Sequence, residues 1–82
     1  MKTKEFKRRL KELGFLYGED GNIYSEHDLS QPICWVSSIN FLSLDTGDMP
    51  YRGLDDEIMK ELFNLVVEYA STPIDEREEE ME

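Results

Sequence analysis

Between residues 3 and 13 the apolar positions Phe6, Leu10 and Leu13 recur at i, i+4 and i+7, the spacing of one helical face. That pattern predicts an amphipathic helix, with Thr3 available as its cap and Gly14 placed for the left-handed position beyond its end. The period then shortens. Phe15-Leu16-Tyr17 and Asn22-Ile23-Tyr24 read as short strands around Gly18-Glu19-Asp20-Gly21, a turn in which the glycines supply positive φ cheaply. Residues 27–32 form a polar connector. Ile33-Cys34-Trp35-Val36 is the strongest strand candidate, and residues 38–40 turn the chain so that residues 41–44 return beside it. The result is a meander of three or four antiparallel strands.

Successive strand residues point to opposite faces, so Ile33 and Trp35 share one side and Cys34 and Val36 the other. A strand apolar on both sides is expected to lie centrally with a cover on each face. Two helices can cover one face. The other calls for a third element or a second copy of the chain, and Ile33, Trp35 and Phe41 are the candidate residues of a homodimer interface.

After a turn-rich loop over 45–53, a long helix is predicted from Leu54 to Ser71. Asp55, Asp56 and Glu57 sit in its first turn, where negative charge complements the helix dipole. Leu54, Ile58, Leu62, Leu65, Val66 and Tyr69 follow the helical period, and Met59, Phe63 and Ala70 widen the stripe. Thr72-Pro73 then interrupts the run. Proline lacks the amide hydrogen an unbroken helix needs and disfavours helical geometry in the residue before it. Thr72 as cap, Pro73 in the first helical position and Asp75 reaching back predict a second short helix, from Pro73 to about Met81. Its only strongly apolar residues, Ile74 and Met81, are expected to pin it to the domain. The expectation is an α+β chain: N-terminal helix, small antiparallel sheet, long helix and short acidic C-terminal helix. Residues 1–71 form the single domain and 72–82 an acidic helix or tail.

Charge refines this picture. The 82 residues carry a net charge of −10, unevenly placed. Residues 1–14 hold six of the nine basic side chains against two acids, a local +4, which leaves −14 for the remainder. Such a field disfavours free nucleic acid and anionic lipid and suits a basic partner. Six acids and one Arg fill residues 75–82. Asp75, Glu76, Glu78, Glu79 and Glu80 are therefore the candidate protein-binding residues. They could also act, with Asp55, Asp56, Glu57, Glu61 and Glu68, as a DNA-like acidic surface aimed at a nuclease or repressor. The basic first helix is the alternative contact, for phosphate. The simpler expectation is that these Lys and Arg side chains solvate the outer face of the helix and pair with the acidic remainder.

Catalytic and metal motifs are sparse. Leu44-Asp45-Thr46-Gly47 matches the core of the aspartic-protease motif. That chemistry needs two Asp sharing a proton, and Asp48 stands where that family has a small residue. A strand ending in an Asp-Gly turn is the simpler account. His27, Asp28 and Cys34 suggest a thiol nucleophile only until Cys34 is placed in an apolar strand, where a free thiol behaves as a small hydrophobe. One Cys and one His fall short of a zinc site, and residues 45–48 lack the ligand spacing of a calcium loop. No glycine-rich phosphate loop is visible. No cofactor is expected. The single Cys allows no internal disulfide, no signal-like apolar stretch follows the basic start, and no run approaches the ~20 apolar residues of a membrane span. A cytosolic protein is expected.

Leu-Val-Val-Glu-Tyr-Ala-Ser-Thr-Pro-Ile-Asp-Glu-Arg-Glu over 65–78, and Lys-Glu-Phe-Lys-Arg-Arg-Leu-Lys-Glu-Leu-Gly-Phe over 4–15, carry a resemblance to small acidic proteins of temperate phages and prophages of Gram-positive bacteria. The resemblance extends over nearly the whole chain. It implies a non-enzymatic accessory protein that binds a host or phage protein in the host cytoplasm, and it transfers no site residue.

Overall fold

The computed structural model describes residues 1–47, 49–51 and 53–77. Helix α1 spans Thr3–Leu13 and is followed by strands β1 (Phe15–Tyr17), β2 (Asn22–Ser25), β3 (Cys34–Val36) and β4 (Leu44–Asp45). A 3₁₀ turn at Met49–Tyr51 leads to helix α2 (Asp56–Ala70), and α3 (Ile74–Arg77) closes the described chain. The strands form one antiparallel sheet in the order β1-β2-β3-β4. The expected α+β meander is the observed one.

Local chemistry explains most of the boundaries. Gly14 ends α1 at φ 96°, and its amide donates to the Leu10 and Lys11 carbonyls. Gly21, at φ 94°, closes the β1–β2 turn where a side chain has no room: an added Cβ would stand 2.5 Å from Trp35 Nε1 and 2.8 Å from the Val36 carbonyl oxygen. The α2 helix starts two residues later than predicted, because Asp55 serves as its N-cap and accepts from the Glu57 amide.

Two hydroxyls expected to cap helices do other work. Thr3 lies inside α1, whose N-cap is Lys2, and its Oγ1 is 2.7 Å from the Tyr69 hydroxyl. Thr72 does not cap α3. Its hydroxyl donates to the Glu68 carbonyl one turn back and accepts from the Met1 ammonium, each at 2.9 Å. Both hydroxyls therefore tie the start of α1 to the end of α2.

Helices α1 and α2 cover one face of the sheet. The pairings Tyr17 with Ile23, Ile23 with Cys34 and Val36 with Leu44 place these side chains on that face. Phe6, Leu10, Ile23, Val36, Leu62, Val66 and Tyr69 are fully enclosed. At one end of this core the Phe6 and Tyr69 rings stack 4.0 Å apart, and the Tyr17 ring meets Phe6 edge-on at 5.1 Å.

The third strand departs from expectation, and with it the proposed dimer face. Regular pairing begins at Cys34, and Ile33 turns inward to join the core at 6% exposure. Only Trp35 of this strand faces the other side of the sheet, beside Leu16, Asn22, Tyr24 and Asp45. The Trp35 ring is half-buried because it folds back over the β1–β2 turn, its Nε1 donating to the Asp20 carbonyl at 2.9 Å. Residues 41–43 form no strand: β4 is only Leu44–Asp45, and Phe41 lies in the preceding loop, half exposed. Ile33 is therefore buried and Phe41 stands on a loop, so these two and Trp35 do not line up as one exposed strand face. The short C-terminal helix is seen from Ile74 to Arg77, and the remainder of the predicted span, 78–82 with its pinning Met81, lies outside the described residues.

Burial raises the Cys34 thiol from its usual 9.0 to about 12, and raises the Tyr17 hydroxyl from 10.0 to about 12 while it donates to the Val36 carbonyl at 2.7 Å. Between those limits the unfolded chain has released protons that the folded chain still holds. The stabilisation from both groups is therefore complete below pH 9 and is lost as pH rises toward 12. Urea midpoints should fall across this alkaline range. Cys34→Ala should remove the thiol's share and delay the onset. Native protein should react with a thiol reagent only as fast as it unfolds.

Candidate protein-interaction surface

The loop over 37–43 between β3 and β4 carries the most unusual side chains on the surface. Ile39 is 76% exposed, Phe41 50% and Leu42 59%. Large apolar residues clustered on the outside of a small chain call for an explanation, since few are available to build the core. This loop is held from behind at nearly every step. Ser37 is buried, and its Oγ accepts from the Ile39 and Asn40 amides at 3.1 and 2.9 Å. Its amide donates to the Ser43 carbonyl at 2.9 Å. Leu42 adopts φ 59°, the left-handed region that a Leu side chain disfavours, and its amide donates to the Ala70 carbonyl at the end of α2 at 2.9 Å.

The anchor of this arrangement is Arg77. Only 2% of it is exposed, and four main-chain carbonyls accept from its guanidinium. Nε donates to Thr72 at 2.9 Å. One terminal nitrogen donates to Ser37 at 2.6 Å, and the other to Ala70 at 3.1 Å and Asn40 at 3.4 Å. The guanidinium also lies 4.3 Å above the Tyr69 ring centre, where the π face favours a cation. Ala70 is the last residue of α2, so its carbonyl lacks an intrahelical partner and sits at the negative end of the helix dipole. A delocalised cation with a planar fork of donors suits this ring of carbonyls better than an ammonium would.

Sequence reasoning missed Arg77 because it entered only as one cation in an acidic run. The available signal was its isolation: a single Arg placed just after a Thr-Pro break, with helix-end carbonyls to satisfy. The expected pin, Ile74, is only half-buried, and Arg77 does the pinning. Residues 72–77 are thereby built into the same core as 1–71 and do not hang from it as a tail. Asp75 and Glu76 are exposed on α3, as binding candidates must be, whereas Glu78, Glu79 and Glu80 lie outside the described residues.

The other candidates fall as follows. Asp45 ends β4, and its carboxylate accepts from the Gly47 amide at 3.0 Å, an Asx turn; Asp48 lies outside the described residues. His27 is exposed, Asp28 is held below the usual carboxylate range by the Ser30 hydroxyl and amide, and Cys34 is buried. Among the described residues no three His, Cys, Asp or Glu side chains come together as a metal cluster. Along α1, Arg8 pairs with Glu12 at 3.0 Å, and Arg9 lies between Glu5 at 3.8 Å and Glu68 of α2 at 3.6 Å. An apolar hollow of about 390 Å³ lies between the 3₁₀ turn and α2, where Met49, Pro50, Met59 and Phe63 meet. No helix among the described residues is long and apolar enough to cross a membrane.

Comparison with known proteins adds no relative: no family model, curated protein or solved structure matches the chain.

Arg77→Ala should cost about 2–4 kcal/mol in urea denaturation, since several buried carbonyls lose their donor together. Arg77→Lys should recover less than half of that, because one ammonium cannot span the fork. In both variants the Leu42 amide should exchange faster with solvent deuterium than in the parent.

Proposed function

We propose that this chain is a non-enzymatic protein-binding module whose contact surface is centred on Ile39, Phe41 and Leu42. The observation that carries this reading is the combination of exposure and anchoring. Apolar side chains stand in water on a backbone already fixed by Ser37, Ala70 and Arg77. Burying each against a partner is worth up to about 1.5–3 kcal/mol. A pre-formed loop keeps most of that gain, because little ordering entropy is spent on binding. The left-handed Leu42 points the same way: local strain of about 1–2 kcal/mol is retained at a position where glycine would relieve it. Resemblance over 4–15 and 65–78 supports a phage or prophage accessory role, with a host or phage protein in the bacterial cytoplasm as the partner.

The test is a matched set of folded variants. Ile39→Ser with Phe41→Ser should leave the circular dichroism and urea midpoint nearly unchanged, yet strip from the bait the proteins it captures from a Gram-positive host lysate. An unchanged captured set would overturn the reading. Leu42→Gly separates folding from binding. It should stabilise the fold by up to about 1 kcal/mol by relieving backbone strain, while weakening capture because a contact side chain is gone.

A further inference from the structure

We infer that the partner of the 37–43 loop presents an apolar face bordered by Lys or Arg side chains, and that Asp75 and Glu76 select it. This rests on the protein-binding reading above and assigns the chemistry of the partner. The two features are joined through Arg77. Its guanidinium holds the loop carbonyls of Ser37 and Asn40, and the two residues immediately before it on α3 are the exposed carboxylates Asp75 and Glu76. The cation that links them is buried and spent on carbonyls, so it does not neutralise this acidic edge. An apolar centre with an acidic border is the surface complementary to a basic-bordered apolar one, and the overall charge of −10 acts in the same direction at longer range.

A second copy of the chain fits this surface less well. A two-fold contact centred on the loop places the same patch against itself. It would bring together two bodies of −10 each. Like charges at a rim oppose association within a Debye length of about 8 Å at physiological salt.

The probes are two labelled amphipathic model helices with the same leucine stripe, one bordered by lysines and the other by glutamates. Fluorescence anisotropy with the full chain should show the lysine-bordered helix binding at least about tenfold tighter. Added salt should narrow the gap. Ile39→Ser with Phe41→Ser should weaken the lysine-bordered helix by about tenfold or more, which distinguishes a centred contact from diffuse attraction to an acidic protein. Asp75→Lys with Glu76→Lys, which leaves the apolar centre in place, should reverse the preference.

Equal binding of the two helices, binding of neither, or binding indifferent to the loop substitution would overturn the inference. So would a wild-type dimer in sedimentation that Phe41→Ser dissociates, since that assigns the loop to a second copy. If lysate capture depends on Phe41 but the two helices bind alike, the partner chemistry is wrong and the protein-binding reading stands. If capture is also indifferent to Phe41, both fall.

Discussion

The Arg77 guanidinium joins three stretches of chain through their main-chain carbonyls: the start of the β3–β4 loop, the end of α2, where the Ala70 carbonyl also accepts from the Leu42 amide, and the bend at Thr72. A buried cation is costly unless its donors are satisfied. Here they meet carbonyl dipoles, one of them at the negative end of a helix, and a tyrosine face. Helix, loop and C-terminal turn thus depend on one side chain. That side chain in turn depends on all of them to satisfy its donors away from water.

The aromatic cluster extends this dependence into the core. Tyr69 lies between Arg77 and Phe6, and its hydroxyl meets Thr3 on α1. Thr72, two residues beyond α2, receives the Met1 ammonium. The start of the chain and its last described turn are consequently locked to the same end of α2. A chain of this size buries only about 60% of its unfolded surface, and polar ties of this kind supplement the thin apolar core. They also free the loop residues Ile39, Phe41 and Leu42 from core duty, so that the loop is shaped by its backbone bonds while its side chains face outward.

Charge is distributed to match. Arg8 and Arg9 are drawn toward glutamates on α1 and α2. The acids of α3 have no such role in the core and are exposed, on the short helix whose Arg77 holds the loop carbonyls. An apolar centre and an acidic edge thereby come from segments more than thirty residues apart in the sequence.

Local patterns alone determined the element order, the helix faces, the glycine-closed turns and the buried Cys34, because these follow from spacing, φ preference and alternation over a few neighbours. The limits appeared wherever a side chain had a choice of distant partners. Thr3 and Thr72 look like caps in sequence, but Tyr69 and Glu68 are better placed to receive them. Ile33 and Phe41 look like strand residues, but pairing starts one residue late at Cys34 and the returning strand shortens to two. That sends Ile33 inward and leaves Phe41 on the loop. Above all, nothing local distinguishes Arg77 from the acidic residues beside it. Only the folded chain gathers carbonyls from residues 37, 40, 70 and 72 around one point, and only there does burying a cation become favourable.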